Sequence, residues 1–229
     1  RMAALIRKAG GEVWTGATAE AIHVTGTRVS GVRIRKQRES TDITAPVVLS
    51  NIGPAGTVAL LPEACLDEAY VERINRDMTP TAIMWLHFAS DELLMDYSAI
   101  SVGCSRRVNM IDSPSLEAEG IAPPGKHLYT VGAAPADSLD PGDIRREFDE
   151  VLKDLNDIFP DFDNRCRILT RTCYRGKWPG FRTVPEKHVG HRTPVENLYN
   201  VGDAACPSGY DGSMGAAKSA RLAFADITT

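Results

Sequence analysis

One stretch near the end of the chain limits its fold more than any other. It runs Asn197-Leu198-Tyr199-Asn200-Val201-Gly202-Asp203-Ala204-Ala205 and resumes as Pro207-Ser208-Gly209-Tyr210-Asp211-Gly212-Ser213-Met214-Gly215-Ala216-Ala217. The order predicts a buried strand, then Gly-Asp, then a turn with glycines at three-residue spacing, then a helix rich in alanine. Gly202 lets the backbone approach a neighbour closely. Asp203 presents an acceptor at the end of a strand, where α/β sheets bind their ligands. Gly212, Ser213 and Met214 expose backbone N–H groups at a helix start, with the positive end of the helix dipole behind them. Gly215, Ala216, Ala217 and Ala220 leave room for a flat ligand or another backbone. On spacing alone, a plain strand–turn–helix joint explains the stretch equally well, because glycine-rich turns are common.

Upstream, Arg1 to Ala9 reads as a helix already under way, stopped by Gly10-Gly11, so the chain is expected to begin inside something longer. Glu12 to Thr15 is short and strand-like. Ala21 to Val24 and Arg28 to Arg35 alternate apolar and polar residues across Thr25-Gly26-Thr27, a hairpin pattern in which Ile22, Val24, Val29, Val32 and Ile34 share a buried face. Thr44 to Ser50 predicts another strand, ending at the turn Asn51 to Pro54. Pro62 to Met78 predicts a helix, and Thr81 to Ala89 a strongly apolar strand. Val108 to Ile111 and His127 to Ala134 are further strands, separated by a Pro- and Gly-bearing loop. Asp143 to Phe159 is the clearest helix, with Ile144, Phe148, Val151, Leu152, Leu155, Ile158 and Phe159 at helical spacing, Asp140 as its expected cap and Pro160 as its end. Strands mixed with helices at this density indicate a mixed α/β protein with an antiparallel sheet in the middle.

With 229 residues and 43% hydrophobic content, the chain can bury one large core or two small ones. The formal net charge of -4 supplies no basic face of the kind nucleic-acid binders carry. Arg33, Arg35, Lys36 and Arg38 fit the solvated face of a strand. Cys65, Cys104, Cys166, Cys173 and Cys206 are scattered, with no zinc spacing, which suits reduced and mostly buried thiols of a cytoplasmic protein. The longest apolar run, Ala82 to Ala89, is broken by His87 and too short to span a bilayer, and no signal peptide opens the chain.

The closing stretch resembles the closing motif of the FAD-dependent phytoene desaturase, carotenoid isomerase and amine oxidase superfamily, which runs N-L-Y-x-x-G-D, then later glycines, then a small-residue helix. Two earlier segments agree. Gly10-Gly11-Glu12-Val13 followed by Ala19-Glu20-Ala21-Ile22 resembles the family's G-G-x-(I/V)…V-x-x-I segment, with Ala19 where valine is usual. Val47-Val48-Leu49-Ser50-Asn51-Ile52-Gly53-Pro54 resembles its VVxSNxxP strand. The resemblance implies that Gly202 and Asp203 touch the ribityl–diphosphate region of FAD. It further implies that backbone N–H groups of Gly212, Ser213 and Met214 face the pyrimidine edge of the flavin, and that backbone at Ala19 contacts the adenine. Tyr210-Asp211 departs from the small or apolar residues the family has in this turn.

The fold so implied is mixed α+β: C-terminal pieces of an FAD-binding Rossmann-like domain plus an antiparallel-sheet substrate domain with helices. The expected division is 1–60 for the first FAD-binding part, 61–180 for the substrate domain and 181–229 for the closing FAD-binding part. No G-x-G-x-x-G follows a strand and opens a helix, so this chain would hold only part of a flavin site. Met84, Trp85 and Phe88 suit either plain core or the wall of an apolar substrate channel, and Trp178 to Phe181 either an aromatic near the flavin or a loop anchor. His87, His127, His188 and His191 show no pairing that argues for a general base, so no catalytic residue is assigned.

The implied function is the C-terminal portion of an FAD-dependent dehydrogenase or desaturase that moves hydride from an apolar small molecule to flavin, inactive without the rest of its parent. The alternatives are a flavin-free relative that binds prenyl or lipid groups, as guanine nucleotide dissociation inhibitors do, or an inactive stable fragment. The resemblance leaves room for a peripheral membrane contact and for a homo-oligomer. Neither nucleic acid nor metal is expected.

Overall fold

The computed structural model describes residues 2–176, 187–210 and 212–229. The chain divides into two compact units, one formed by residues 1–79 and 180–229 and the other by residues 80–179. Trp178 to Phe181 lies outside the described residues.

The first unit opens with helix α1 (Met2–Lys8), none of whose residues is buried. Glu12 to Thr15 forms no strand. Strand β1 (Ala17–Thr25) then pairs antiparallel with β2 (Arg28–Lys36), placing Ile22 opposite Val32 and Val24 opposite Val29. The hairpin is the expected one, and its apolar face joins Val195 and Leu198 in a small core. Strand β3 (Glu39–Thr44) extends the meander on the far side of β2. The expected strand Thr44 to Ser50 is therefore two elements. Thr44 ends β3, and β4 (Val48–Ser50) belongs to another sheet. Pro46 lies between them and has no N–H to continue a ladder.

Helix α2 (Pro54–Val58) follows, with proline in its first turn. The helix expected from Pro62 begins later. Residues Glu63–Cys65 make only a 3-10 turn, Leu66 is extended, and helix α3 (Glu68–Asp77) starts behind Asp67, whose carboxylate accepts the Tyr70 N–H. Ile74 and Met78 bury against Val189 and Ala204, with Ala55 and Val58 alongside. This contact draws α3 into the first unit, so the boundary falls after Thr79 and not at residue 60 as expected.

The second unit is a five-stranded antiparallel sheet. Its strands are β5 (Ile83–Ser90), β6 (Ala99–Ser101), β7 (Val108–Asp112), β8 (His127–Ala133) and β9 (Cys166–Tyr174), in spatial order β6-β7-β8-β5-β9. Short helices α4 (Pro114–Glu117) and α6 (Phe162–Arg165) flank the long helix α5 (Ile144–Ile158). The cap of α5 is Asp143 and not Asp140: the helix starts at Ile144, and only the Asp143 carboxylate reaches the Arg145 N–H.

Along β5, burial alternates residue by residue. Met84, Leu86 and Phe88 enter a core with Tyr129, Val131, Phe148, Val151 and Leu155, so α5 covers that face of the sheet. Phe88 stacks on Tyr129 at 4.8 Å and meets Phe162 edge-on at 4.9 Å. Met84 and Phe88 are thus core residues and line no channel. Trp85 and His87 project to the opposite face, where His87 Nδ1 lies 2.8 Å from Thr170 Oγ1. Helix and sheet are clamped by Asp154 on α5, 2% exposed, which accepts backbone N–H groups from Arg106, Arg107 and Val108.

The chain returns to the first unit through β10 (Leu198–Asn200), parallel to β4, and ends in helix α7 (Gly212–Thr228). Cys206 is buried but Cys104 is exposed, against the expectation of mostly buried thiols, and no disulfide joins any of the five cysteines.

Candidate functional site

The parallel pair β4/β10 sets the site. Leu198, Tyr199 and Asn200 lie opposite Val48, Leu49 and Ser50, and the Val201 N–H donates to Ser50 O at 2.8 Å. Both strands end side by side, β4 running into Asn51 and β10 into Gly202-Asp203. Carboxyl ends of parallel strands are where such sheets hold ligands.

A buried polar cluster pins these two ends. Asn200 and Thr57, 0% and 1% exposed, meet with Thr57 Oγ1 2.7 Å from Asn200 Oδ1 and equally close to Ser50 Oγ. Asn200 Nδ2 donates to Tyr70 Oη at 2.8 Å. One asparagine thereby joins β10 to α2, β4 and α3. Burial pushes the Tyr70 phenol up to about 12, against the opposing pull of the Asn200 bond.

Gly202 is a conformational necessity. Its φ is +108°, and a Cβ there would sit 2.2 Å from Asn51 Oδ1. Its N–H donates to Ser219 Oγ at 2.8 Å, and its carbonyl is 3.1 Å from the same oxygen. Gly202 therefore serves the joint itself, holding the strand end against α7, and its N–H is spent inside the protein. Asp203 opens a 3-10 turn (Asp203–Ala205) at intermediate exposure.

Helix α7 is held at both ends. Near its start, Gly215 sits so close to Cys206 that a Cβ would lie 2.9 Å from Cys206 Cβ, and Cys206 Sγ lies 2.9 Å from Tyr210 O. Near its end, Asp226 takes Arg192 Nε at 2.7 Å and Nη2 at 2.8 Å, and lies 2.8 Å from His191 Nε2. Arg192 and then His191 hold the Asp226 carboxyl well below the usual carboxylate range. The histidine does have an acidic partner, but one already occupied by a guanidinium, which makes a clamp for α7. The first turn of α7 leaves Ser213 and Met214 exposed, Met214 at 70%.

Solved structures share this fold. An oxidoreductase from Methanosarcina mazei superposes with a TM-score of 0.86 at 27% identity, over 99% of this chain and 52% of that one. Putrescine oxidase bound to putrescine gives 0.63 at 11% identity, over 98% and 51%. A variant of a flavin-dependent brominase gives 0.54 at 12%, over 97% and 52%. The chain has the fold of the FAD-dependent oxidoreductases. It spans about half the length of these solved chains. No protein-family model and no curated protein matches the sequence.

Within this FAD-dependent oxidoreductase fold, Gly202, Asp203, Gly212, Ser213 and Met214 all belong to the β10–α7 connection and its helix start. Ala19 stands apart, exposed on β1 beside a bulge in the β1/β2 register. Tyr210 is 40% exposed, and Asp211 lies outside the described residues. Sequence alone gives Thr57, Tyr70 and Ser219 no role, and Asn51 only a place in the turn after Ser50. One signal pointed to them: an asparagine inside a buried strand demands partners, and Asn200 is such a residue.

Proposed function

We propose that this chain supplies the closing part of the flavin site in an FAD-dependent dehydrogenase or desaturase acting on an apolar small molecule, phytoene desaturase-like in character. The observation that carries the reading is the β4/β10 pair ending at Gly202-Asp203 beside the start of α7. The donor set suits the group. Asp203, an acceptor at a strand end, fits the hydroxyl-rich ribityl chain. The first-turn N–H groups of α7 at Gly212, Ser213 and Met214 fit the pyrimidine carbonyls, and the helix dipole favours negative charge placed before them. Ala19 on β1 is assigned to the adenine end by the same reading.

When bound, the flavin supplies hydride acceptance, chemistry that belongs to the cofactor. The work of the chain is to position it. Ser219 and Asn51 fix the Gly202 turn, the Asn200 cluster fixes both strand ends, and Asp226 keeps α7 in place. The second unit is the substrate domain in this reading, offering the sheet face that carries Trp85. Among the described residues, no helix is long and apolar enough to cross a membrane. A cytoplasmic location belongs to the same proposal and is supported by five cysteines that form no disulfide with one another.

The test is equilibrium dialysis of the chain against FAD, with visible absorbance read after desalting. Retained flavin, lost on Asp203→Ala with the circular dichroism spectrum unchanged, supports the proposal. A folded chain that retains no flavin leaves the proposal to the longer parent, and a parent that also retains none defeats it and leaves the flavin-free relative as the better reading.

A further inference from the structure

A second pocket lies wholly within the sheet unit, on the face away from α5. Its floor follows from the register. Ala89 is opposite Leu128 on one side and Arg167 on the other, so these three side chains share one face, opposite the core residue Phe88. Ile121 and Lys126, from the loop between α4 and β8, make one wall, and Cys166 and Leu169 on β9 make the other. The cavity measures about 600 Å³, within the range that holds small organic ligands.

Its lining combines apolar surface with one uncompensated cation. Ile121 and Leu169 are 46% and 41% exposed, a large share for branched residues at a concave site. Of the cations, Lys126 pairs with Asp91, and Arg165 pairs with Glu92 while donating to Pro160 O. Among the described residues, Arg167 has neither a carboxylate nor a hydrogen-bond acceptor. A guanidinium presents a planar fork that matches a planar carboxylate with two parallel bonds. A dianionic phosphate would call for further free positive charge, and both neighbouring cations are already engaged.

We infer that this pocket binds an amphipathic carboxylate, with its head on Arg167 and its apolar body along Ile121, Leu128 and Leu169. The pocket shares its sheet face with Trp85, the face given to the substrate in the proposed function, but no residue of the β10–α7 connection lines it, so it can be tested without flavin.

The Cys166 thiol packs against the core beneath the sheet, so the reporter is a thiol introduced on the pocket floor by Ala89→Cys. The full chain would be labelled with iodoacetamide and the modified peptides quantified by mass spectrometry, with exposed Cys104 as internal reference. Decanoate is the probe, and decanol supplies the same tail without charge. The expected result is that decanoate slows labelling of the introduced thiol at position 89 and leaves Cys104 unchanged, whereas decanol at equal concentration protects neither. Arg167→Glu, on an edge strand where it disturbs no core contact, should raise the decanoate needed by about tenfold to a hundredfold, the worth of a hydrogen bond to a charged group. Leu169→Asp should also weaken protection, by removing apolar wall. Equal protection by decanol, unchanged protection in Arg167→Glu, protection by inorganic phosphate at lower concentration than decanoate, or no protection at all would each overturn the inference.

Discussion

Ser219, in the middle of α7, holds both backbone polar groups of Gly202: its Oγ accepts the Gly202 N–H at 2.8 Å and lies 3.1 Å from the Gly202 carbonyl. The hydroxyl is fully buried and also lies 2.8 Å from Ala216 O. A helix side chain thus replaces the ladder that the strand end no longer has. Ser219→Ala removes the acceptor and leaves a buried N–H unpaired, at a cost of about 1–3 kcal/mol. Urea unfolding should show the midpoint fall with an unchanged slope, and a midpoint equal to the parent would refute this role.

Tyr70 gives the first unit a pH dependence on the alkaline side. Its phenol is pushed from 10.0 up to about 12 in the folded state. The neutral phenol is favoured by folding, so the stabilisation is complete below pH 10 and is lost as the pH rises from 10 to 12. Absorbance titration of the phenolates should find one tyrosine ionising late, and Tyr70→Phe should remove that late step. The same variant leaves Asn200 Nδ2 without its partner, so it should lower stability at neutral pH by about 1–2 kcal/mol.

Asp154 gives the second unit an acid-side dependence. Burial raises its carboxyl, but the backbone N–H groups of Arg106, Val108 and Arg107, with the Arg106 guanidinium, outweigh that and hold it below its ordinary 3.8. The carboxylate is the favoured folded form, so its contribution is whole above pH 3.8 and is lost as the pH falls through the lower folded value. Asp154→Asn turns an amide NH2 toward donors, and Asp154→Ala leaves three N–H groups unmet, that of Val108 buried and those of Arg106 and Arg107 part-buried. Each should cost about 3 kcal/mol or more. Chemical unfolding of both variants at pH 7 checks this, and a loss within about 1 kcal/mol would mean the clamp carries little.

Helix α1 leaves Met2, Leu5 and Ile6 at 81%, 65% and 46% exposure. Contiguous apolar surface of this kind drives association. Light scattering of the chain should show a mass that rises with concentration, and Leu5→Glu with Ile6→Lys should return it toward monomer. A clean monomer at high concentration would count against it.

Much of this was legible from local pattern. Alternation across Thr25-Gly26-Thr27 predicted the β1/β2 hairpin, helical spacing predicted α5, and the Gly-Asp stretch placed β10, its turn and α7 in order. These are short-range properties, encoded by residues a few positions apart. Partner choice is not local, and there the tertiary structure decided. Period two says that β5 has two faces, but only the position of α5 shows that Met84 and Phe88 are core and Trp85 is not. Thr44 and Ser50 read as one strand and pair in different sheets. Strand β9, missed in sequence, is recruited at a sheet edge by β5. Asn200 meets Thr57 across 143 positions of sequence, and among the described residues Arg167 has no carboxylate partner, while Lys126 and Arg165 pair with Asp91 and Glu92. The sequence alone determined the hairpin, the long helix and the order of strand, Gly-Asp turn and helix at the end of the chain. Only folding decided which polar groups are satisfied by one another, because a buried group takes whatever partner the packing brings within reach.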